Sequence, residues 1–258
     1  MRRVAVPLVL LLAAGGCEKS KTEATTDAGS TGSSSGGSSG DIVSPPTVED
    51  DAGVRDDGTS CPSIAHDDDF ERDTVESPAW KLVPGQATLA LGTGMILGKS
   101  LHVKLLDGPA PRISWLERGF PADACRVNVS FKLRFTTLPP EGSFVDIARV
   151  VVAGGLLSVR VNGPKIILIE HGIAPDETVT GSSITEAGTV NIDEVIGVAF
   201  ILDRRTEPAK IGISLTEAAP STADAKYVLG RPRFLSMGSA GANEGPDVEY
   251  HLDNIRIR

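Results

Sequence analysis

The four histidines are the residues of this chain most able to bind a transition metal or to transfer a proton. They are His66, His102, His171 and His251, and no two of them have the short spacing by which metal-binding pairs are recognised in a sequence. The pattern therefore predicts four separate surface histidines and no metal site. The chain also lacks a serine nucleophile elbow, a phosphate-binding loop and a His-Glu-x-x-His motif. We expect no catalytic residues.

Three carboxylates near the two ends of the folded part could bind a hard cation. Asp69 and Glu71 lie near its start and Asp253 near its end, so they would meet if the terminal strands pair. Carboxylate oxygens are the ligands that Ca²⁺ prefers. The alternative is that Asp69 and Asp253 hold the backbone of a turn and a bulge, or pair with Arg72 and Arg256. We expect no cofactor. A structural calcium ion at this cluster is the one exception that the sequence allows.

The first residues have the features of a secretory signal. Residues 1–3 are Met-Arg-Arg and residues 4–12 are an apolar run of nine, which is too short for the roughly 20 residues that span a bilayer. The following "LAAGGC" resembles the lipobox of bacterial lipoproteins. That resemblance implies cleavage after Gly16 and a lipidated Cys17 that carries diacylglycerol and palmitate. The alternative is an ordinary signal peptide cleaved near Ala14.

The remaining two cysteines form a pair if Cys17 is lipidated. The chain has three cysteines, and an exported protein occupies an oxidising compartment in which Cys61 and Cys125 would form a disulfide bond. A loop of this length stabilises a fold by about 4 kcal/mol in the chain-entropy description. Two free thiols are the alternative.

Composition divides the chain into a signal peptide (1–16), a linker (17–60) and one domain (61–258). The linker is rich in Gly, Ser, Thr, Asp and Pro, and such a segment buries too little apolar surface to fold. The formal net charge is −9 and the isoelectric point is near 5.0. An acidic chain lacks the basic surface that nucleic acid requires, so we expect no nucleic-acid partner.

Alternating side chains predict an all-β domain. The clearest strand covers residues 125–135, where apolar and polar residues alternate without interruption. Residues 157–161 and 165–169 flank Asn162-Gly163, a strong hairpin signal. Further predicted strands cover residues 100–106, 111–117, 144–152, 192–202, 209–215, 226–235 and 247–257. One-sided strands of this kind form antiparallel sheets, and we expect a two-sheet β-sandwich without helices.

The ends of the domain carry short motifs. "DDFER" (68–72) opens it, Trp80 follows, and "YHLDNIRIR" (250–258) closes it with a change of alternation at Asp253-Asn254 that predicts a bulge. These motifs resemble the concanavalin A-like, laminin-G-like jelly rolls of secreted bacterial proteins. The resemblance implies that the first and last strands lie side by side in one sheet.

The same resemblance implies carbohydrate binding as the default activity, but the sequence supplies few rings for it. The glucanases of this fold class carry Glu-x-Asp-x-x-Glu on one strand, and this chain lacks that motif. Aromatic residues make up 4% of the chain. Phe131, Phe135 and Phe200 fall in phase with core residues and Trp80 is a candidate core residue. Trp115 shares its phase with the apolar Ile113 and with the charged Glu117, so the alternation does not determine whether Trp115 faces the core or the solvent.

The sequence therefore predicts a lipid-anchored, extracytoplasmic, non-catalytic binding module. It would sit on the cell membrane or the outer membrane, facing the periplasm or the exterior. Its partners would be the membrane, through the lipid, and a carbohydrate or an envelope or surface protein. The alternatives are a structural cell-envelope lipoprotein without a small ligand, and a divergent glycoside hydrolase.

Overall fold

The computed structural model describes residues 60–95, 98–216, 219–228 and 230–258. The predicted signal peptide, Cys17 and all of the predicted linker except Ser60 lie outside the described residues. Fifteen strands and no helix are found within the described residues, so no helix among them could cross a membrane. The strands are, in chain order, β1 (His66–Asp68), β2 (Lys81–Val83), β3 (Thr88–Gly92), β4 (Ser100–Leu105), β5 (Ser114–Gly119), β6 (Arg126–Thr137), β7 (Phe144–Val152), β8 (Gly155–Asn162), β9 (Lys165–Ile173), β10 (Val179–Thr189), β11 (Val195–Asp203), β12 (Lys210–Ser214), β13 (Ala223–Asp224), β14 (Pro232–Ala242) and β15 (Val248–Ile257).

The strands form two antiparallel sheets, which confirms the predicted all-β sandwich. One sheet has eight strands in the order β13-β12-β11-β6-β15-β4-β3, with β1 also paired to β15. The other has seven strands in the order β10-β9-β8-β7-β14-β5-β2. The pairing of β1 with β15 aligns His66 with Ile257. The first and last strands are therefore neighbours, as the jelly-roll resemblance implies.

Strand β6 shows why the sandwich forms. Its residues alternate between buried and half-buried from Arg126 to Thr136, and the buried ones belong to the same hydrophobic cluster as inward residues of the other sheet. Phe131, Phe135 and Phe200 lie in this core, as predicted from their phase. Trp80 is 1% exposed and is a core residue too.

Cys61 and Cys125 form the predicted disulfide bond, which joins the segment before β1 to the residue preceding β6.

Two local predictions concern the hairpin after β8 and the bulge in β15. The first is wrong by one residue and the second is confirmed. The hairpin between β8 and β9 pairs Asn162 with Lys165, so its two-residue turn is Gly163-Pro164 and not the predicted Asn162-Gly163. Gly163 has φ +57°, a conformation that glycine adopts without steric cost. The bulge predicted at Asp253-Asn254 is confirmed, since the register of β15 against β6 shifts between Asp253 and Arg256.

Candidate functional site

The pairing of β1 with β15 brings the predicted carboxylate cluster together at the bulge. Asp69 Oδ1 accepts a hydrogen bond from the Glu71 backbone N–H at 3.1 Å. Asp253 Oδ1 accepts one from the Asn254 N–H at 2.7 Å, and Glu71 Oε1 accepts one from the Lys99 N–H at 2.7 Å. These carboxylates thus hold turn and bulge backbone, which was the alternative to calcium binding. The predicted partner Arg72 contacts Asp68 instead.

The surroundings of Asp253 raise the pKa of its carboxyl group. Burial raises the pKa of Asp253, and the negative charges of Asp69 and Glu71 raise it further, to about 6. The Asn254 backbone hydrogen bond opposes this shift without cancelling it. A divalent cation would relieve the same repulsion, so calcium at this cluster stays a prediction.

The eight-stranded sheet places two histidines against each other on its outer face. The pairing of β4 with β15 puts His102 directly opposite His251, and their rings stack with centroids 4.6 Å apart and planes 9° apart. His102 Nε2 lies 2.9 Å from Glu249 Oε1. The prediction of four separate surface histidines is wrong for this pair, because the register joins positions that are far apart in sequence. His251 is also buried, with 6% exposure.

The surroundings of His251 favour the neutral ring. Burial lowers the pKa of His251 to about 4, and the neighbouring His102 and Arg134 lower it as well. Its Nδ1 lies 3.0 Å from Ser100 Oγ. The backbone of Gly94 lies so close to the ring that a Cβ at this position would come within 2.0 Å of His251 Cε1. The loop after β3 therefore covers one side of this cluster.

The seven-stranded sheet presents a different surface on its outer face. Residues paired directly across antiparallel strands point to the same side of a sheet. Arg149 pairs with Ser158 and Ser236, and Asp146 pairs with Arg160. We use the name arginine face for seven of the half-buried side chains that this register places on the outer side, namely Trp115, Phe144, Arg149, Leu156, Arg160, His171 and Phe234. The half-buried aliphatic residues Val151 and Ile167 lie on the same side.

A buried carboxylate fixes the two arginines of this face. Asp146 is 1% exposed and binds Arg160 through two hydrogen bonds of 2.7 and 3.1 Å and Arg149 through one of 2.9 Å. Burial alone would raise the pKa of Asp146, but the charges and hydrogen bonds of Arg160 and Arg149 outweigh it and lower the pKa. The trio carries one net positive charge. Gly241 lies beside it, where a Cβ would come within 2.8 Å of Asp146 Oδ2.

Rings flank these arginines. The Arg160 guanidinium lies 3.6 Å from the centre of the Phe144 ring, a cation–π geometry. His171 Nδ1 lies 2.6 Å from Ser182 Oγ, and burial, followed by the charge of Arg160, lowers the pKa of His171. Trp115 pairs with Gly238 and shares the outer side with Glu117. The side chain of Trp115 therefore lies on the outer face of the sheet and not in the core.

The arginines of this face are not among the residues predicted from the sequence. The signal was present in "FVDIARVVV" (144–152), where Asp146 and Arg149 interrupt an otherwise apolar strand. A charge in such a position requires a partner of opposite charge. One partner, Arg160, is on the neighbouring strand, and only the register of β7 against β8 identifies it.

Comparison with known proteins defines the fold and leaves the activity open. No protein-family model and no curated protein matches this chain. Among solved structures, the chain is similar to Cip1, a cellulose-induced protein, with a TM-score of 0.52 and 14% identity over 75% of this chain and 96% of that chain. At this identity the likeness supports the β-sandwich fold alone.

Weaker similarities connect the chain to two proteins named for carbohydrate chemistry or binding. The binding domain of botulinum neurotoxin DC has a TM-score of 0.43 and 11% identity over 69% of this chain and 42% of that chain, so this chain spans less than half of that structure. A carbohydrate esterase from the Shiga toxin-encoding bacteriophage phi24B has a TM-score of 0.46 and 12% identity over 69% of this chain and 89% of that chain. Neither similarity informs the function of this chain.

Proposed function

We propose that this protein is a lipid-anchored, extracytoplasmic, non-catalytic module that binds carbohydrate on its arginine face. The observation that supports the proposal is the combination of half-buried rings and fixed arginines on one outer sheet surface. Aromatic rings cover the apolar faces of sugars, while guanidinium, imidazole and carboxylate groups form hydrogen bonds with hydroxyls. Binding sites commonly combine apolar walls with a few placed polar groups in this way.

The salt-bridge network supports the proposal because it orients the binding groups in advance. Arg149 and Arg160 are both held by the buried Asp146, and Arg149 Nε also donates to Ser158 Oγ at 3.3 Å. Side chains that are already ordered lose less entropy when a ligand binds. The site therefore favours a ligand with many hydroxyl groups at fixed distances, which describes an oligosaccharide.

The anchoring part of the proposal depends on the N-terminal sequence. Cys17 would carry the lipid after removal of residues 1–16, and residues 17–60 would serve as a flexible tether. Such a tether would let the domain reach glycans at a distance from the membrane to which it is attached. Location at the cell membrane or the outer membrane belongs to the same proposal.

A glycan array probed with the full chain, with and without Ca²⁺, tests the carbohydrate proposal. For any glycan that binds, Trp115→Ala and Phe144→Ala should each weaken the affinity at least tenfold, which corresponds to about 1.4 kcal/mol. Lys104→Ala is the matched control, because Lys104 lies on the outer side of the other sheet and should leave the affinity unchanged.

Two outcomes contradict the proposal. Binding that is insensitive to both ring substitutions would move the site away from the arginine face. If no glycan on the array binds and the protein captures an envelope protein, the structural alternative would be favoured instead.

A further inference from the structure

We propose that His102, Glu249 and His251 form a binding site for one divalent transition-metal ion of the zinc class. One ligand atom from each of these residues lies within 4.8 Å of the other two. Atoms that share a tetrahedral zinc ion at its usual bond lengths are about 3.3 Å apart. Because a metal ion lies in the plane of each imidazole that binds it, at least one of the two stacked rings must turn out of the stack to bring the three ligand atoms to this distance.

The register of β4 and β15 creates this convergence. His102 and His251 are directly opposite each other, and Glu249 lies two residues before His251 on the same side of β15. His102 Nε2 and Glu249 Oε1 are already 2.9 Å apart, so a metal ion would replace the proton between them. Two imidazoles and one carboxylate suit zinc, copper or nickel better than calcium or magnesium.

Hydrogen bonds orient His251 in the manner of a metal ligand. Ser100 Oγ donates to the Gly92 carbonyl at 3.1 Å, so it accepts from His251 Nδ1, which lies 3.0 Å away. The proton on Nδ1 leaves the lone pair on Nε2. Metal-binding histidines nearly always have their second nitrogen held by such a partner.

The neighbouring cations are largely compensated by other groups. Arg134 lies opposite His251 on β6, but its guanidinium donates to the Gly94 carbonyl and to Asp193 at 2.6 Å. Lys104 Nζ is 3.8 Å from Glu249 Oε2, which leaves Oε1 for the metal. Three protein ligands would leave the fourth position of a tetrahedral ion for water or a further ligand.

Calorimetric titration of the full chain with Zn²⁺ tests this site. The protein carries Cys17→Ser, so that no free thiol competes, and no histidine tag. We expect saturable binding of one ion, with affinity at least about tenfold weaker in His102→Ala and in Glu249→Gln. The two side chains are 28% and 30% exposed and lie outside the hydrophobic core, so these variants should keep the fold, which thermal unfolding checks. His171→Asn, on the other sheet, is the matched control and should bind normally.

Imidazole nitrogen NMR supplies a second readout. Zn²⁺ should shift the Nε2 resonances of both His102 and His251 and leave Nδ1 of His251 protonated. The proposal is wrong if no saturable binding occurs below about 1 mM Zn²⁺, or if His102→Ala binds as well as the parent. Displacement of the ion by excess Ca²⁺ would also overturn it, because it would assign binding to the carboxylates at the bulge.

Discussion

At the scale of single residues, three titratable side chains lie in unusual surroundings. Asp146 is buried between two arginines, Asp253 beside two carboxylates and His251 beside a second histidine. All three are buried, although none belongs to the hydrophobic core cluster. Their environments also make distinct predictions about stability.

Replacement of Asp146 should destabilise the protein strongly. Asp146→Asn keeps the shape but removes the charge that compensates Arg149 and Arg160, and breaking such a buried pair costs about 3–5 kcal/mol. Urea denaturation at neutral pH measures the loss in the free energy of unfolding. The matched control is Asp224→Asn, which breaks an exposed pair with Lys210 and should cost less than about 1 kcal/mol. Equal losses in the two variants would contradict the structural role of Asp146.

Asp253 predicts a stability difference that depends on pH. Its pKa rises from an ordinary value near 3.8 to about 6 on folding, so between these values the folded state binds more protons than the unfolded state. Its contribution to the free energy of unfolding therefore decreases as the pH rises through this window. Asp253→Asn keeps an acceptor for the Asn254 N–H and removes the titration.

Thermal unfolding at about pH 3.5 and about pH 7 measures this difference. The gain in stability of Asp253→Asn over the parent should be larger at the higher pH. A difference between the two proteins that is the same at both pH values would show that Asp253 ionises normally.

At the scale of elements, strands with alternating core residues were predictable and strands of small or polar residues were not. The predicted strand 144–152 coincides with β7, because apolar residues dominate it. Strand β10 was missed, since no side chain along it is buried and its composition resembles a loop. The predicted strand 226–235 is displaced from β14 (Pro232–Ala242), whose Gly, Ser and Ala residues carry little strand signal.

The disulfide bond is the covalent link between elements. It closes a separation of 64 residues, so removal by Cys61→Ala with Cys125→Ala should lower the free energy of unfolding by about 4 kcal/mol. Urea denaturation of the double variant measures this loss. The parent protein unfolded under reducing conditions should show a similar decrease, and a change below about 1 kcal/mol in both would contradict the prediction.

At the scale of the whole molecule, the proposed lipid anchor would hold the domain, with both of its outer sheet faces, at a membrane. Cys17→Ser should move the protein from the membrane fraction to the soluble fraction, because the lipid would be its only stable attachment. Membrane fractionation followed by immunoblotting measures the distribution. The control is Cys61→Ala with Cys125→Ala, which leaves Cys17 in place and should stay membrane-bound. Membrane association that survives Cys17→Ser would contradict the anchor.

The amino-acid sequence by itself determined the fold class, the core side of β6 and the bulge in β15, because alternation and turn chemistry are local properties. It also predicted that Cys61 and Cys125 would pair. Only the tertiary structure decided that His102 lies opposite His251 and that Asp146 lies opposite Arg160. The physical reason is register: the partner of an outward side chain is set by which strands pair and where, and this depends on the packing of the whole sandwich.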